Sequence, residues 1–329
     1  MNSLVVQLKA LAEPTRLRIT VLLSRGELTV SELVQILGQS QPRVSRHLKL
    51  LSDAGLAVRL PEGSFVFYRL ADNGHGERLT RAIANFAPPG DAVLRRDLDR
   101  LQSVKDARAR AAEDYFERAA ADWGKIRALH LSEDEIETAM RAAAGDGPFD
   151  LMVDVGVGTG RILEVFADRV GQGVGIDVNQ AMLNVARFNL DRAGISNGFV
   201  RQANVAALPF DDGAADLVTV HQVLHYLDDP TVAIAECARV LKPGGVLLIA
   251  DFAPHQLEFL KTDHSHLKLG FSDSEIGEWV EEAGLTPAHR TTLHPDQKGG
   301  RLTVKIWSAR KDVHAAEPGG RKSRAETKR

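Results

Sequence analysis

With 329 residues, 44% of them apolar and 26% charged, the chain is long enough for two domains with separate cores and has an ordinary globular composition. No apolar run is long enough to span a membrane, no charged-then-apolar leader opens the chain, and the single cysteine, Cys237, excludes an internal disulfide and a thiolate metal cluster. These features predict a cytoplasmic protein with no membrane association and no metal site. The net charge of −3 hides an asymmetry: residues 1–70 hold nine Lys and Arg against five Asp and Glu, so they carry +4 and the remainder −7.

The spacing predicts short helices and then a hairpin over residues 1–70. Leu4, Leu8 and Leu11 share one face of a first helix. Pro14 suits the first turn of a second, Thr15 to Leu23. Ser31 is placed to cap a third, Glu32 to Leu37, and Ser40 a fourth, Gln41 to Asp53, with Gly38 and Gly55 closing them. Val44, Leu48 and Leu51 recur at i, i+4, i+7 and face inward, which turns Arg43, Arg46 and Lys49 outward, with Gln41 and Ser45 near the leading end. Ala57 to Leu60 and Phe65 to Leu70 read as a hairpin around Pro61-Glu-Gly-Ser64. Two short helices joined by a tight turn, the second carrying basic and amide side chains, form a helix-turn-helix. Arginine and lysine neutralise phosphates, whereas Gln41 and Arg43 suit base edges.

This stretch resembles the ArsR/SmtB winged-helix repressors through Leu11-Ala-Glu-Pro-Thr-Arg16, Gln41-Pro-Arg-Val-Ser-Arg-His-Leu-Lys49, Ala54-Gly55-Leu56 and Tyr68-Arg-Leu70. The resemblance implies that Gln41, Arg43, Ser45, Arg46, His47 and Lys49 enter the major groove of double-stranded DNA, with Arg59, Ser64 or Arg69 on phosphate from the wing. One departure is informative. Thr29 and Ser31 stand where metal-sensing members carry thiols, and hydroxyls are poor ligands for soft metals. The signal such a regulator reads must come from elsewhere in the chain.

Residues 73–147 read as a helical linker. Pro88-Pro89-Gly90 breaks it, and Asp91 to Glu117 follows as a long amphipathic helix with Val93, Leu94, Leu98, Leu101 and Val104 on one side. The ArsR resemblance makes this a dimer element, and a two-fold dimer matches a palindromic operator. Tyr115 and Trp123 read either as core or as cover for a cofactor; a helix over Glu133 to Ala144 leads into the next domain.

From residue 148 to 311 strands and helices alternate as in a doubly wound parallel sheet. The stretch Leu151-Met-Val-Asp154-Val-Gly156-Val-Gly158-Thr-Gly160 is an apolar strand running into a glycine-rich turn and then a helix. Glycine there lets a ligand approach the backbone, and the helix N-terminus offers unpaired N–H groups. The spacing is G-x-G-x-G and not the dinucleotide G-x-G-x-x-G, since Arg161 stands at the third dinucleotide position. A second strand, Gly173 to Ile176, ends in Asp177, where a carboxylate can accept both ribose hydroxyls of an adenosine. Further strands are predicted over Phe199–Gln202, Ala215–Val220, Val246–Ala250 and, antiparallel, Leu302–Ala309, with Leu241-Lys-Pro-Gly-Gly245 as a turn before Val246.

Asp154, the three glycines, Asp177 and the LKPGG segment resemble the class I S-adenosylmethionine (SAM) methyltransferases. The resemblance implies that Asp154, Gly156, Gly158, Gly160, Asp177, Asn204, Val205 and His221 line the cofactor crevice. Family members commonly have an acidic residue at the position of Asn204, whose carbonyl oxygen still accepts a hydrogen bond. Candidate catalytic groups are His225, His264 and His266, in a region that also holds Tyr226, His255 and Glu258. That segment reads as hydrogen-bonding groups near the pocket, as a base and substrate-binding set, or as a metal site; the H-x-H and H-x-x-E spacings are too common to mark a metal. Arsenite methylation needs several thiolates and is excluded by the lone Cys237.

The expected fold is therefore an N-terminal α+β winged helix-turn-helix (residues 1–72), a helical linker and lead-in (73–147), a C-terminal α/β doubly wound, Rossmann-like methyltransferase sheet (148–311) and a disordered basic tail (312–329). Two functions are expected from it. One is a DNA-binding regulator whose methyltransferase domain methylates a small molecule. The other is a non-catalytic repressor of methionine-cycle genes that senses SAM or S-adenosylhomocysteine (SAH).

Overall fold

The computed structural model describes residues 2–71, 74–88, 90–127, 132–295 and 302–313, with the backbone alone at 2, 112–127 and 263. Internal contacts divide the chain into two compact units: residues 1–118 with 179–196, and residues 119–178 with 197–329.

The first unit opens with α1 (Asn2–Leu11) and α2 (Pro14–Leu23), followed by β1 (Leu28–Thr29), α3 (Val30–Leu37), α4 (Gln41–Asp53), β2 (Ala57–Glu62) and β3 (Phe65–Leu70). On α1 the expected leucine face divides: Leu11 is buried, whereas Leu4 and Leu8 are 44% and 45% exposed. Helix α3 starts earlier than expected and is capped by Thr29, not Ser31. Thr29 Oγ1 accepts from the Glu32 N–H and the Glu32 carboxylate accepts from the Thr29 N–H, so both orphan donors of the first turn are satisfied. Ser40 occupies the N-cap of α4 without a side-chain bond to it. Strands β2 and β3 pair in register from Ala57 opposite Leu70 to Glu62 opposite Phe65, so the wing turn is the two residues Gly63 and Ser64. Ile19, Leu22, Leu33, Ile36, Val44, Leu48, Leu51 and Leu56 form the sealed core.

Two more helices complete this part, α5 (Gly74–Phe86) and the 36-residue α6 (Ala92–Arg127), which runs ten residues beyond the expected end. The first half of α6 is stitched to the winged helix. Leu101 and Val104 enter the core, the buried Asp97 accepts from Arg18 Nε and Nη2 at 2.6 and 2.7 Å, and Arg108 donates to both oxygens of Glu32 at 2.8 and 2.7 Å. The side chains of Tyr115 and Trp123 lie outside the described residues.

The second unit carries α7 (Glu133–Ala144), β4 (Phe149–Val155), α8 (Arg161–Phe166) and β5 (Val170–Asp177). Next in the chain is α9 (Gln180–Arg192), which groups by its contacts with the first unit. Then come β6 (Gly198–Gln202), β7 (Ala215–His221), a one-turn 3-10 helix (Leu224–Tyr226), α10 (Pro230–Val240), β8 (Leu241–Phe252), α11 (Phe259–Asp263), α12 (Asp273–Glu282), β9 (Leu285–Leu293) and β10 (Val304–Lys311). The strands form one seven-stranded sheet of order β6-β5-β4-β7-β8-β10-β9, parallel as far as β8 and antiparallel for the last two.

Two expectations need correction here. Leu241 to Gly245 is not a turn ahead of the fifth strand but its first part: Ala215 pairs with Leu241 and Leu217 with Val246, so the extra residues form an irregularity within β8. Strand β9 was not anticipated. It is an edge strand with a proline at position 287 and mostly exposed side chains, a pattern that edge strands tolerate. The expected tail lies, from residue 314 on, outside the described residues.

Helix α9 brings one buried ion pair into the first unit. Glu62, at the end of the first wing strand and 1% exposed, accepts from Arg187 Nη2 at 2.5 Å and from Gln180 Nε2 at 3.0 Å. The Arg187 guanidinium lies 3.9 Å from the centre of the Phe67 ring on the second wing strand. Asp191 of the same helix pairs with Lys105 of α6.

Candidate functional site

The carboxyl ends of β4 and β5 meet at the glycine-rich loop. The N–H groups of Gly156 and Val157 both donate to the Ile176 carbonyl, at 2.7 and 2.9 Å, which ties the loop to the end of β5. Gly156 takes a φ of +73°, and a Cβ there would lie 2.3 Å from Cγ2 of Val223, so only glycine fits. Gly158, at φ +50°, is the opposite case: a Cβ there would meet nothing nearer than the Gly156 carbonyl at 4.0 Å, so the backbone faces open space. The Gly158 N–H donates to Oδ2 of Asp177 at 3.0 Å. Gly160, also left-handed, stands at the N-cap of α8 without a side-chain cap.

Asp154 and Asp177 differ in environment. Asp154 is 1% exposed and accepts from the Thr219 hydroxyl at 2.6 Å. Burial pushes its carboxyl up to about 7; the Thr219 bond opposes this, and the charge of Asp177 adds to it. Asp177 sits at the rim, half-buried. A backbone loop with open space at Gly158 and a rim carboxylate beside it fits the diol of an adenosine, with backbone close to the rest of the cofactor. Asn204 is exposed and its Oδ1 accepts from its own Ala206 N–H at 2.9 Å. The oxygen expected to serve adenine is thus partly engaged in a local turn. Val205 packs partly buried against the sheet core, and His221 ends β7.

The histidine candidates separate. His225 lies in the 3-10 helix after β7, buried, with Nδ1 donating to Oδ1 of Asp251 at 2.7 Å. His266 is buried against it, ring centres 4.2 Å apart. His255 stands 6.1 Å from the Phe252 ring. His264 is turned instead to the edge of Phe259, and Glu258 is exposed and paired with Lys261. Asp251 is not among the sequence-derived candidates: it directly follows the strand expected over Val246–Ala250, and the histidines after it carry the more familiar chemistry. Its signal was available: a carboxylate at the carboxyl end of a parallel strand, where ligands of doubly wound sheets bind. Among the described residues no three His, Cys, Asp or Glu groups converge on a metal position.

In the first unit α4 presents Gln41, Arg43, Arg46 and Lys49 to solvent, with Ser45 half-buried beside them. His47 is not part of that face. Its Nδ1 is 3.5 Å from Oε2 of Glu13, and burial lowers its pKa. On the wing Arg59 and Ser64 are exposed, whereas Arg69 is turned toward Glu27, with Nε 3.9 Å from its carboxylate.

A family profile described as a bacterial regulatory protein of the arsR family matches residues 13–58, and a methyltransferase-domain profile matches residues 153–249. The chain thus carries a helix-turn-helix segment similar to those of the arsR family and, after it, a methyltransferase domain. The ubiquinone biosynthesis O-methyltransferase of Saccharophagus degradans is 28% identical over 224 residues, which are 61% of this chain and 92% of that protein. The ubiquinone/menaquinone biosynthesis C-methyltransferase UbiE of Shewanella oneidensis is 38% identical over 167 residues, but the match covers 47% of this chain and 64% of that protein, less than two thirds of it. Among solved structures, a chain of the complex between the Haloferax volcanii Trm112 methyltransferase activator and a methyltransferase superposes with a TM-score of 0.50 at 24% identity, covering 60% of this chain and 97% of its own length. That likeness supports the methyltransferase fold. The ArsR-family profile and the methyltransferase profile fall in different parts of the chain, one on the helix-turn-helix and one on β4 to β8.

Proposed function

We propose that the protein is a dimeric, cytoplasmic transcriptional regulator that binds a palindromic operator and whose methyltransferase domain transfers the methyl group of SAM to a small molecule. Residues 1–72 serve as the DNA-binding module, 73–147 as dimerisation region and lead-in, and 148–311 as the cofactor domain. Gln41, Arg43, Ser45, Arg46 and Lys49 face the DNA, while Asp154, the three glycines, Asp177, Val205, Asn204 and His221 hold SAM. When bound, SAM supplies an already activated methyl group, so the protein's work is to orient the acceptor and exclude water. The single observation that carries the cofactor assignment is the Gly158 N–H bonded to the Asp177 carboxylate beside an open backbone face. The similarity to methyltransferases of ubiquinone and menaquinone biosynthesis supports a small-molecule acceptor.

One observation favours a second reading, in which SAM or SAH is a signal. Asp177 is followed after a single residue by Asn179, the cap of α9, and Arg187 of α9 holds Glu62 of the wing. A ligand at Asp177 would thus touch a residue two positions in sequence before the cap of the helix that pairs with the wing. Such a ligand alters DNA affinity only to the extent that it prefers one state of the protein. Two measurements test the proposal. Asp177→Ala is expected to weaken SAH binding by calorimetry at least tenfold, about 1.4 kcal/mol, and an unchanged affinity defeats the cofactor assignment. Arg43→Ala and Arg46→Ala are each expected to weaken binding to the upstream DNA of the protein's own gene in a gel shift; normal binding by both removes the recognition helix from the DNA. Running that gel shift with SAM, with SAH and with neither separates sensor from enzyme.

A further inference from the structure

The residues after β7 are held against the cofactor loop. Val223 fills the space in front of Gly156, and His225 follows two residues later in the 3-10 turn. The turn is entered through Gln222 at φ +54°, and the opposite wall of the cluster through Ser265 at φ +58°. Left-handed conformations are strained for a non-glycine residue and persist where the surroundings over-determine them, commonly at ligand sites. The His225 carbonyl accepts from the N–H groups of Leu267 and Lys268, at 2.8 and 3.1 Å, which fastens the loop carrying His266 over the turn.

Inside this fastening lies a buried acid and its imidazole. Oδ1 of Asp251 accepts from the Phe252 N–H at 2.8 Å and from His225 Nδ1 at 2.7 Å. With the proton on Nδ1, Nε2 carries the lone pair. Burying an ion-pair partner such as Asp251 does not favour stability over an apolar substitute, so stability alone does not account for the pair. Around it, Asp251 Oδ2, His266 Nδ1 and His255 Nε2 are buried without protein hydrogen-bond partners. Oδ2 is an acceptor, whereas His255 Nε2 carries its ring proton because Nδ1 accepts from the Leu257 N–H. A hydroxyl, which both donates and accepts, suits such a mixed lining.

We propose that His225 is the proton acceptor, and Asp251 its positioning residue, for methyl transfer to a hydroxyl group. This rests on the methyltransferase reading above and adds the acceptor class to it. The chemistry selects among acceptors. An amine attacks as its free base and needs no proton removed beforehand. A carboxylate is already ionised at neutral pH. A phenol, with a pKa of about 10, must lose its proton as the new bond forms. In the step, the hydroxyl oxygen attacks the methyl carbon. The C–S bond breaks with its electron pair staying on sulfur, which becomes a neutral thioether. The O–H proton passes to His225 Nε2, and the imidazolium so formed is stabilised by Asp251. The groups facing His225 are Asp251 of β8, Tyr226 of its own turn, and His255 and His266 of the loop, with His264 and Glu258 behind them. Burial, then the neighbouring His225, holds His266 down to about 3, so it stays neutral at physiological pH.

The test uses the full-length protein, methyl-labelled SAM and three probes of matched size: catechol, benzylamine and benzoate. Label is expected in catechol alone. Asp251→Asn, whose amide donates to Nδ1 and forces the proton to Nε2, is expected to lower kcat at least about 100-fold while SAH binding by calorimetry is retained. Nitrogen NMR of the histidine rings gives a readout apart from turnover: the His225 proton sits on Nδ1 in the wild type and on Nε2 in Asp251→Asn. His225→Gln, which keeps the size without the base, is expected to show a residual rate rising about tenfold per pH unit from pH 7 to 9, as catechol ionises unaided, more steeply than the wild type. Label in benzylamine or benzoate with catechol inert, Asp251→Asn at the wild-type rate, or a protein that binds SAH yet methylates none of the probes overturns the proposal. Failure of the wild type to bind SAH overturns the methyltransferase reading itself.

Discussion

Two carboxylates on neighbouring strands, Asp154 and Asp177, differ in burial. Asp177 at the rim is half-buried and accepts from the Gly158 N–H, while Asp154 is 1% exposed and accepts from Thr219. A carboxyl whose folded pKa of about 7 lies above its ordinary 3.8 binds its proton more tightly when folded. The stability this adds is fully present below the unfolded pKa and is lost as pH rises through about 7. By that linkage the loss at alkaline pH is about 4 kcal/mol. Asp154→Asn, which keeps an oxygen for the Thr219 hydroxyl, is therefore expected to raise the unfolding free energy at pH 8 and to raise it much less at pH 4. Chemical denaturation at the two pH values checks this, and an equal gain at both removes the burial argument. The same single-residue view explains Asn204. Its neighbour Ala206 claims the side-chain oxygen before any ligand does, a local bond that a one-letter comparison with an acidic residue does not reveal.

At the level of elements, the cofactor loop and the 3-10 turn are one mechanical piece through Gly156 and Val223. Gly156→Ala puts a Cβ 2.3 Å from Val223 Cγ2 in a left-handed conformation, and is expected to cost about 1–3 kcal/mol of stability. Val223→Ala opens the space, so the double variant is expected to recover part of that loss and of the SAH affinity. A double variant no better than Gly156→Ala argues that backbone strain, not the contact, sets the penalty. Much of this architecture was legible beforehand. The winged helix and the parallel strands are written in period: Val44, Leu48 and Leu51 on a helical face, and Leu151 to Val155 as a run too apolar for an edge. What escaped was decided by competition between local signals or by partners far along the chain. Ser31 and Thr29 both suit a cap, but only Thr29 has a glutamate three residues on, and the reciprocal bond selects it. Edge strand β9 has neither alternation nor β-rich composition, because β10 alone pairs with it. Asp251 gained its meaning only when the return of residues 264–268 brought His266 onto His225. The division of the six DNA-facing candidates followed from packing too: His47 has the spacing of its neighbours, but Glu13 lies across from it.

Across the whole molecule, apolar surface on α1 bears on assembly. Leu4, Val5 and Leu8 lie on adjoining positions of that helix and are each more than two fifths exposed, while Gln7 and Leu11 face the core. A second copy of the chain covering this face adds α1 to residues 73–147 as an interface of the dimer proposed for the operator. Light scattering is expected to return twice the chain mass of 35.8 kDa, and Leu4→Asp with Leu8→Asp to return the chain mass itself with the fold intact. A dimer in the double variant places the interface elsewhere. Helix α9 carries a consequence for how this protein is taken apart. By sequence it belongs between two strands of the methyltransferase sheet, yet Arg187 supplies the counter-charge that a sealed wing glutamate needs. Leaving a buried acid without its base costs about 3–5 kcal/mol, a large share of what holds a small domain folded. The gene thus has no clean seam between its halves: a fragment ending after the winged helix inherits a glutamate whose neutralising residue is encoded more than a hundred codons downstream.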